Sequence, residues 1–268
     1  MRQRPDQDTS GHAMIDDAPA EIPAGDEITQ APEPRRRRRA APARPRLMAR
    51  LLRWLAGWGI WLGMRAAMLI LGLVLAYKLV NPPTTLTIIQ NAQDYSIAPR
   101  QWTRLDDIAP VMARSVVAAE DANFCLHWGF DMSEIRKVIA QGGSRGASTL
   151  SQQTAKNVYL WQSRSWIRKA LETFFTPLIE LVWGKRRIIE VYLNVAEFGP
   201  GVFGIHAAAA HHFNTTPDRL TPVQAARLAA VLPNPKARST ATASNRSRAI
   251  ADGAATIAAD GRAACLSR

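Results

Sequence analysis

The sequence predicts a mainly α-helical domain carried behind a single N-terminal membrane-spanning helix. Three observations lead there. An apolar stretch near residue 60 is framed by arginines and tryptophans, apolar residues recur at helical spacing over most of the remaining chain, and no strand–helix alternation appears. The 268 residues allow one or two domains with a core of their own. The 34 Lys and Arg against 22 Asp and Glu give a net charge of +12. That excess is local: residues 1–34 hold 2 basic and 8 acidic side chains, while residues 35–53 hold nine arginines and no acid.

Residues 1–53 read as a disordered tail, acidic and then arginine-rich, with too few large apolar side chains to offset the entropy of ordering. The run Arg35–Arg39 lacks the aromatic platform or finger spacing that a nucleic-acid reading needs, so no nucleic-acid partner is expected. Residues 54–80 form the membrane segment. A helix over about residues 58–80 rises roughly 35 Å, enough for a hydrocarbon core of about 30 Å. Arg65 and Lys78 snorkel toward the two headgroup layers, and Trp54, Trp58, Trp61 and Tyr77 suit the interfaces. The preceding arginines place the N-terminus in the cytoplasm and residues 81–268 outside. Asn81-Pro82-Pro83 ends the helix.

Beyond it, the segment LTIIQN reads as a short strand or extended stretch, and Asp106 or Asp107 as the cap of a helix with Pro110 in its first turn, running to about Asn123. Asp131 caps a helix stopped by Gly142-Gly143, and Ser148 or Thr149 starts another. Ser165 begins a long helix whose Ile167, Leu171, Phe174, Leu178 and Val182 step by three and four, which predicts one buried face. Lys185–Ala196 continues it. Gly199, Gly201 and Gly204 mark a loop, a helix comes next over IHAAAAHHF, and Thr221-Pro222 opens one that Pro233 closes. Residues 237–268 read as a tail with one short helix around Ala249–Ala259. Cys125 and Cys265 form no metal-cluster spacing; Cys125 reads as a small buried apolar residue, and a bridge across about 140 residues is not expected.

Three local patterns carry chemistry. In Glu120–Asp131, Glu120 ends an apolar helix, where the dipole and partial burial raise a carboxyl toward the range of a general base. Asp121 beside it points about 100° away and takes a different role. A solvated helix end is the plain alternative. In Gly142–Asn157, a Gly/Ser-rich stretch runs into a helix start whose free N–H groups suit an anion, and Gln152 and Lys156 share a face; the spacing is not that of a nucleotide P-loop. In Arg168–Glu172, Arg168 and Glu172 are four apart with Lys169 beside them, which also suits an ordinary surface ion pair. Cations around a loop suit a phosphate, and a membrane tether suits a lipid-borne one.

Taken together, Glu120, Asp121, Phe124, His127 and Gly129 match EDxxFxxHxG; Gly146, Ser148, Thr149, Gln152, Gln153, Lys156 and Asn157 match GxSTxxQQxxKN; and Arg168, Lys169 and Glu172 match RKxxE. KRRIIEVYLNVAEFGPGVFG and AARLAAVLPNP come after them in order. The sequence resembles the monofunctional peptidoglycan glycosyltransferases of glycosyltransferase family 51 over about residues 81–236. The ordered SxxK, SxN and KTG signatures of a transpeptidase are absent, so none is expected.

The resemblance implies a lysozyme-like α fold in the inner membrane, with the domain periplasmic. It implies polymerisation of lipid II onto an undecaprenyl-pyrophosphate-linked glycan, with inversion to a β-1,4 bond. By it, Glu120 is the general base and Glu172 the second essential glutamate. Lys156, Arg168 and Lys169 clamp the donor pyrophosphate, while Ser148, Thr149, Gln152, Gln153 and Asn157 bind substrate or fix the loop. Asp121, Phe124, His127 and Gly129 are supports. A divalent cation, Mg²⁺ or Mn²⁺, is compatible with the family, with Glu172 as its one candidate ligand; no cofactor is needed for the chemistry. Cell-division or penicillin-binding proteins are conceivable partners. The competing readings are a lytic peptidoglycan glycosidase, which has no use for Lys156 and Arg168, and a non-catalytic divisome scaffold, which has none for Glu120.

Overall fold

The computed structural model describes residues 47–143, 146–163 and 165–267. The chain divides into two units, residues 1–53 and 54–268. Of the first, only 47–53 are described, and they are helical. The tail expected over residues 1–46 lies outside the described residues, but 47–53 depart from that expectation: helix α1 spans Leu47–Leu79, beginning before the predicted membrane segment. Leu47, Met48, Leu51 and Leu52 have high helix propensity and no breaker separates them from Trp54, so the helix propagates through Arg50 and Arg53. Among the described residues α1 is the one helix long and apolar enough to cross a bilayer, and it stands almost wholly exposed. It is the chain's membrane anchor.

Residues 54–268 are mostly helical. Helix α2 is Leu86–Asn91, capped by Thr85, where a strand or extended segment is predicted. Thr85 accepts the Ile88 N–H, and Thr87, Ile88 and Asn91 turn to one buried face at spacings of one, three and four, which a strand cannot do. Helix α3, Pro110–Glu120, starts on Ala109 with Pro110 in its first turn. Asp106 and Asp107 belong instead to a 3-10 turn at Leu105–Asp107, and Ile108-Ala109 in extended conformation separate them from the helix they are predicted to cap.

Helix α4, Met132–Ala140, is capped by Asp131, and α5, Leu150–Tyr159, by Thr149 in a full capping box with Gln152. Helix α6, Trp166–Val195, starts on Ser165 and breaks at Gly184, whose φ of 71° few other residues would adopt without strain. A small antiparallel hairpin, β1 Glu197–Gly199 and β2 Val202–Phe203, replaces the predicted loop. Then come α7 Ile205–Phe213, α8 Pro222–Val231 and α9 Asn245–Ala259.

The core sits between α3, α5, the second half of α6, α7 and α8, around Met112, Phe124, Leu150, Ile188 and Leu228. Two sequence expectations fail there. The stripe of α6 expected to be buried is partly outward: Ile167 and Phe174 are exposed, and the inward positions are Phe175, Ile179 and Trp183, with Glu172, Thr176 and Glu180 beside them. The first half of α6 is apolar on two sides, and hydrophobic spacing alone does not say which side faces protein.

The second failure is larger. The short helix expected around Ala249–Ala259 is present as α9, but the segment after Arg238 is packed on the domain and not a tail. Helix α9 packs on α3 and α8, burying Ile250, Ala254 and Ile257, with Gly253 close against Ala118. That return path lays Cys265 beside Cys125, and the two form a disulfide with Cα atoms 5.5 Å apart, against the expectation of two unpaired thiols. The Arg186 guanidinium donates to the Leu266 carbonyl and, at 2.6 Å, to Asp106, which holds the same end.

The last turn of α1 is gripped by α6. The Trp183 indole N–H donates to the Val74 carbonyl at 2.7 Å. Arg187 donates to the carbonyls of Tyr77 and Val80 and to Asn81 Oδ1. The Tyr77 and Val80 carbonyls lie past the last intrahelical bond, to Ala76, and are groups the helix cannot satisfy by itself.

Candidate active site

Glu120 is the last helical residue of α3, and its side chain is largely buried. Gln153 Nε2, on α5, donates to Glu120 Oε2 at 3.1 Å, and Arg246 Nη2, on α9, lies 3.5 Å from Oε1. Burial raises the carboxyl above the ordinary range, and Gln153, Arg246, Arg238 and Lys156 only partly pull it back. The group opens onto a cavity of about 520 Å³ lined by Asn123, Glu134, Ser148, Thr149, Gln153 and Arg246 among others.

Asp121 turns away, as the helix geometry predicts. It is non-helical, at φ −163° and ψ 72°. Its Oδ2 accepts the Leu150 N–H at 2.9 Å, the first N–H of α5, and its Oδ1 lies 2.8 Å from His127 Nε2. Phe124 is fully buried, with Lys185 Nζ 4.4 Å from its ring centre. Gly129 sits at φ 83°, and a Cβ there would stand 2.8 Å from Thr176 Cγ2; its carbonyl accepts the Thr149 hydroxyl at 2.6 Å. Asp121, Phe124, His127 and Gly129 thus join the loop after α3 to the start of α5 and the middle of α6.

Lys156 follows Gln153 by one turn and faces a second cavity of about 250 Å³, shared with Asn157, Gln162, Tyr192 and Lys236. Burial lowers its pKa; Glu172 and Glu120 hold it up, and Arg168 and Lys169 push it down. Lys156 therefore feels both glutamates, and Gln153 lines both cavities. On α6, Glu172 is 3% exposed and carries two cations. Arg168 Nη1 donates to its Oε2 at 2.7 Å and Lys169 Nζ to its Oε1. Lys169 also donates to Ser148 Oγ at 3.1 Å, which ties this triad to the rim of the first cavity.

The structure brings together Glu120, Ser148, Thr149 and Gln153, and links them to Lys156, Asn157 and the Arg168–Lys169–Glu172 triad. Gln152 does not join them. It is buried, and its Oε1 accepts the Thr149 N–H, so it serves the helix cap. Thr149 spends its hydroxyl on Gly129 and the Gln152 N–H. The Gly142–Gly146 stretch includes Ser144 and Arg145, which lie outside the described residues.

A divalent cation does not fit Glu172 as it stands, because both oxygens already hold protein cations. Asp121, His127 and Asp131 bring ligand atoms within 4.8 Å of one another. All four carboxylate oxygens there are taken, by His127 and the Leu150 N–H on Asp121, and by Ser133, the Glu134 N–H and Asn123 on Asp131.

Sequence reasoning misses Tyr192 and Arg246. Tyr192 lies within the segment KRRIIEVYLNVAEFG, so a signal is present there without a role. Arg246 lies in the segment that reads as a tail, and no local pattern marks it.

The family model described as Transglycosylase matches residues 87–257, so it takes in most of α9. The Biosynthetic peptidoglycan transglycosylase of Jannaschia sp. (strain CCS1) is 56% identical over 229 residues, covering 84% of this chain and 94% of its own. That of Rhodospirillum centenum is 45% identical over 231 residues, covering 83% and 96%. That of Xanthomonas campestris pv. campestris (strain B100) is 47% identical over 204 residues, covering 72% and 81%. With the family model and these relatives matching most of its length, the chain belongs to the transglycosylase family as a glycosyltransferase of peptidoglycan synthesis.

Proposed function

We propose that the enzyme polymerises lipid II at the outer face of the inner membrane, with its N-terminus in the cytoplasm. The carrying observation is that Glu120, buried and held by one amide and one 3.5 Å guanidinium contact, faces one cavity while Lys156 faces the next across Gln153. The acceptor sugar's 4-hydroxyl oxygen attacks the anomeric carbon of the donor's terminal sugar. Its proton goes to Glu120. The anomeric C–O bond to the pyrophosphate breaks, and its electron pair leaves with the lipid pyrophosphate. Attack opposite an α-linked leaving group gives the β-1,4 bond.

Lys156, Arg168 and Lys169 meet the charge that grows on the leaving group, which lowers the barrier more than it strengthens substrate binding. Glu172 holds Arg168 and Lys169 in place.

The lipid tail is accommodated by exposed apolar side chains outside the anchor: Leu126 and Trp128 after α3, Met132 and Ile139 on α4, and Trp166 and Ile167 on α6. These favour a surface partly sunk in the bilayer. The test is incubation of the full chain with labelled lipid II in detergent or vesicles. Long glycan with release of lipid pyrophosphate is expected; shortening of preformed glycan without polymer would overturn the reading.

A further inference from the structure

Two residues to which the proposed reaction gives no role bear on Glu120, Tyr192 through Gln153 and Arg246 directly. Tyr192, fully buried on α6, donates its hydroxyl to Gln153 Oε1 at 3.1 Å. A phenol can donate or accept, so it is the acceptor-only ionised Glu120 that fixes which end of the amide faces it. With Nε2 turned to Glu120 Oε2 as a donor, Oε1 accepts from the phenol. The reversed amide would set an oxygen lone pair against an ionised carboxylate. Neither Tyr192 nor Gln153 carries charge here, because burial keeps the phenol protonated well above its ordinary range.

Arg246, near the start of α9, sits at the rim of the first cavity. Its Nη2 lies 3.5 Å from Glu120 Oε1 and 3.3 Å from the Ala119 carbonyl, so it also touches the carbonyl end of α3. Helix α9 is fixed for this task by its packing on α3 and α8 and, beyond its end, by the Cys125–Cys265 bridge.

We propose that Tyr192, through Gln153, and Arg246 are positioning residues that aim the Glu120 carboxylate at a single point in the first cavity. The inference rests on Glu120 being the general base. A buried carboxylate at a helix end would otherwise rotate about its side-chain torsions, and misplacement by about 1 Å costs up to about a hundredfold in rate. The charged or titratable groups that bear on Glu120 are Arg246 from α9, Arg238 from the segment after α8, Lys156 from α5 and Tyr192 from α6. Removing Arg246 leaves Arg238 and Lys156 in place, so the proton affinity of Glu120 rises without a collapse of the site. Removing the phenol hydroxyl frees the amide to turn, which weakens its hydrogen bond to the ionised form and moves the affinity the same way.

The test uses the full chain in vesicles and four variants: Glu120→Gln, Tyr192→Phe, Arg246→Gln and Arg246→Lys. Two readouts are taken on each, the pH profile of polymerisation and the infrared titration of the Glu120 carboxylate, assigned as the band lost in Glu120→Gln. Tyr192→Phe is expected to lower kcat by about tenfold with KM nearly unchanged, since the contact acts on orientation of the base. Arg246→Gln is expected to move the acid limb and the carboxylate midpoint upward, and Arg246→Lys to restore the midpoint in part.

An unmoved midpoint in both Tyr192→Phe and Arg246→Gln overturns the inference. A fully active Glu120→Gln overturns the base reading instead, and the infrared midpoint distinguishes the two failures because it needs no turnover. Should Tyr192→Phe fail to fold, Arg246→Gln, at an exposed side chain, carries the same test.

Discussion

The two glutamates of the site are both buried, yet their surroundings differ in kind. Glu172 lies in the first turns of α6 and has a cation on each oxygen. Glu120 lies at the carbonyl end of α3 with one amide and one longer guanidinium contact. The helix dipole favours the negative charge of the first and disfavours that of the second. One carboxylate is therefore a fixed counter-ion and the other is poised to take a proton. Two residues of the same type, 52 positions apart, are given separate work by helix polarity and by the number of cations within reach.

The strongest way to break this comparison is to neutralise each in turn. Glu120→Gln should lower polymerisation by about 10²–10⁴-fold, the usual share of a general base. It should also raise the thermal midpoint at neutral pH. The sign follows from the shift: a carboxyl raised in the folded state contributes stability below the ordinary carboxylate range and loses it as pH rises through the raised value. Glu172→Gln should do the reverse to stability. It strands Arg168 and Lys169, and breaking a buried pair costs about 3 kcal/mol, less here because Lys169 is partly exposed. Calorimetry on both variants checks the opposite signs; midpoints moving together would refute the contrast.

A pH series sharpens it. The profile of kcat/KM should be bell-shaped, with an acid limb above the ordinary glutamate range from Glu120 and an alkaline limb below the ordinary lysine range from Lys156. Glu120→Gln removes the acid limb from whatever activity is left, and Glu172→Gln leaves it in place.

The disulfide belongs to the Glu120 side alone, since Cys125 lies in the loop after that residue. Cys265→Ser should lower unfolding free energy by about 2–4 kcal/mol, read from denaturant midpoints. The smallest effect separates cap from binding residue. Gln152→Ala should cost about 1 kcal/mol of stability, with KM for lipid II unchanged.

Much of the site is legible in the sequence because its residues lie in short local patterns. Asp131, Thr149, Ser165 and Thr221 act at helix starts as their types and spacing require, and Thr149 and Ser165 begin the helices that bear Lys156 and Glu172. What is not legible depends on distant packing. Periodicity cannot say which apolar side of α6 faces protein, so it marks Ile167 and Phe174 as core although both are exposed. Nothing local in residues 239–268 shows that α9 lies on α3, and Arg246 and the Cys125–Cys265 bridge depend on that contact. Gln152 and Gln153 are neighbours of one type; the helix alone sends one inward to the cap and the other toward Glu120.

Trp183 and Arg187 grip the end of α1 from the middle of the same helix that holds Glu172 near one end and Tyr192 near the other. Gly184 bends α6 between those two contacts, so each half of the bent helix keeps its own hold on the anchor's end. Cutting one tie, as in Arg187→Ala, is expected to leave the Trp183 bond in place and to speed amide exchange over residues 77–81.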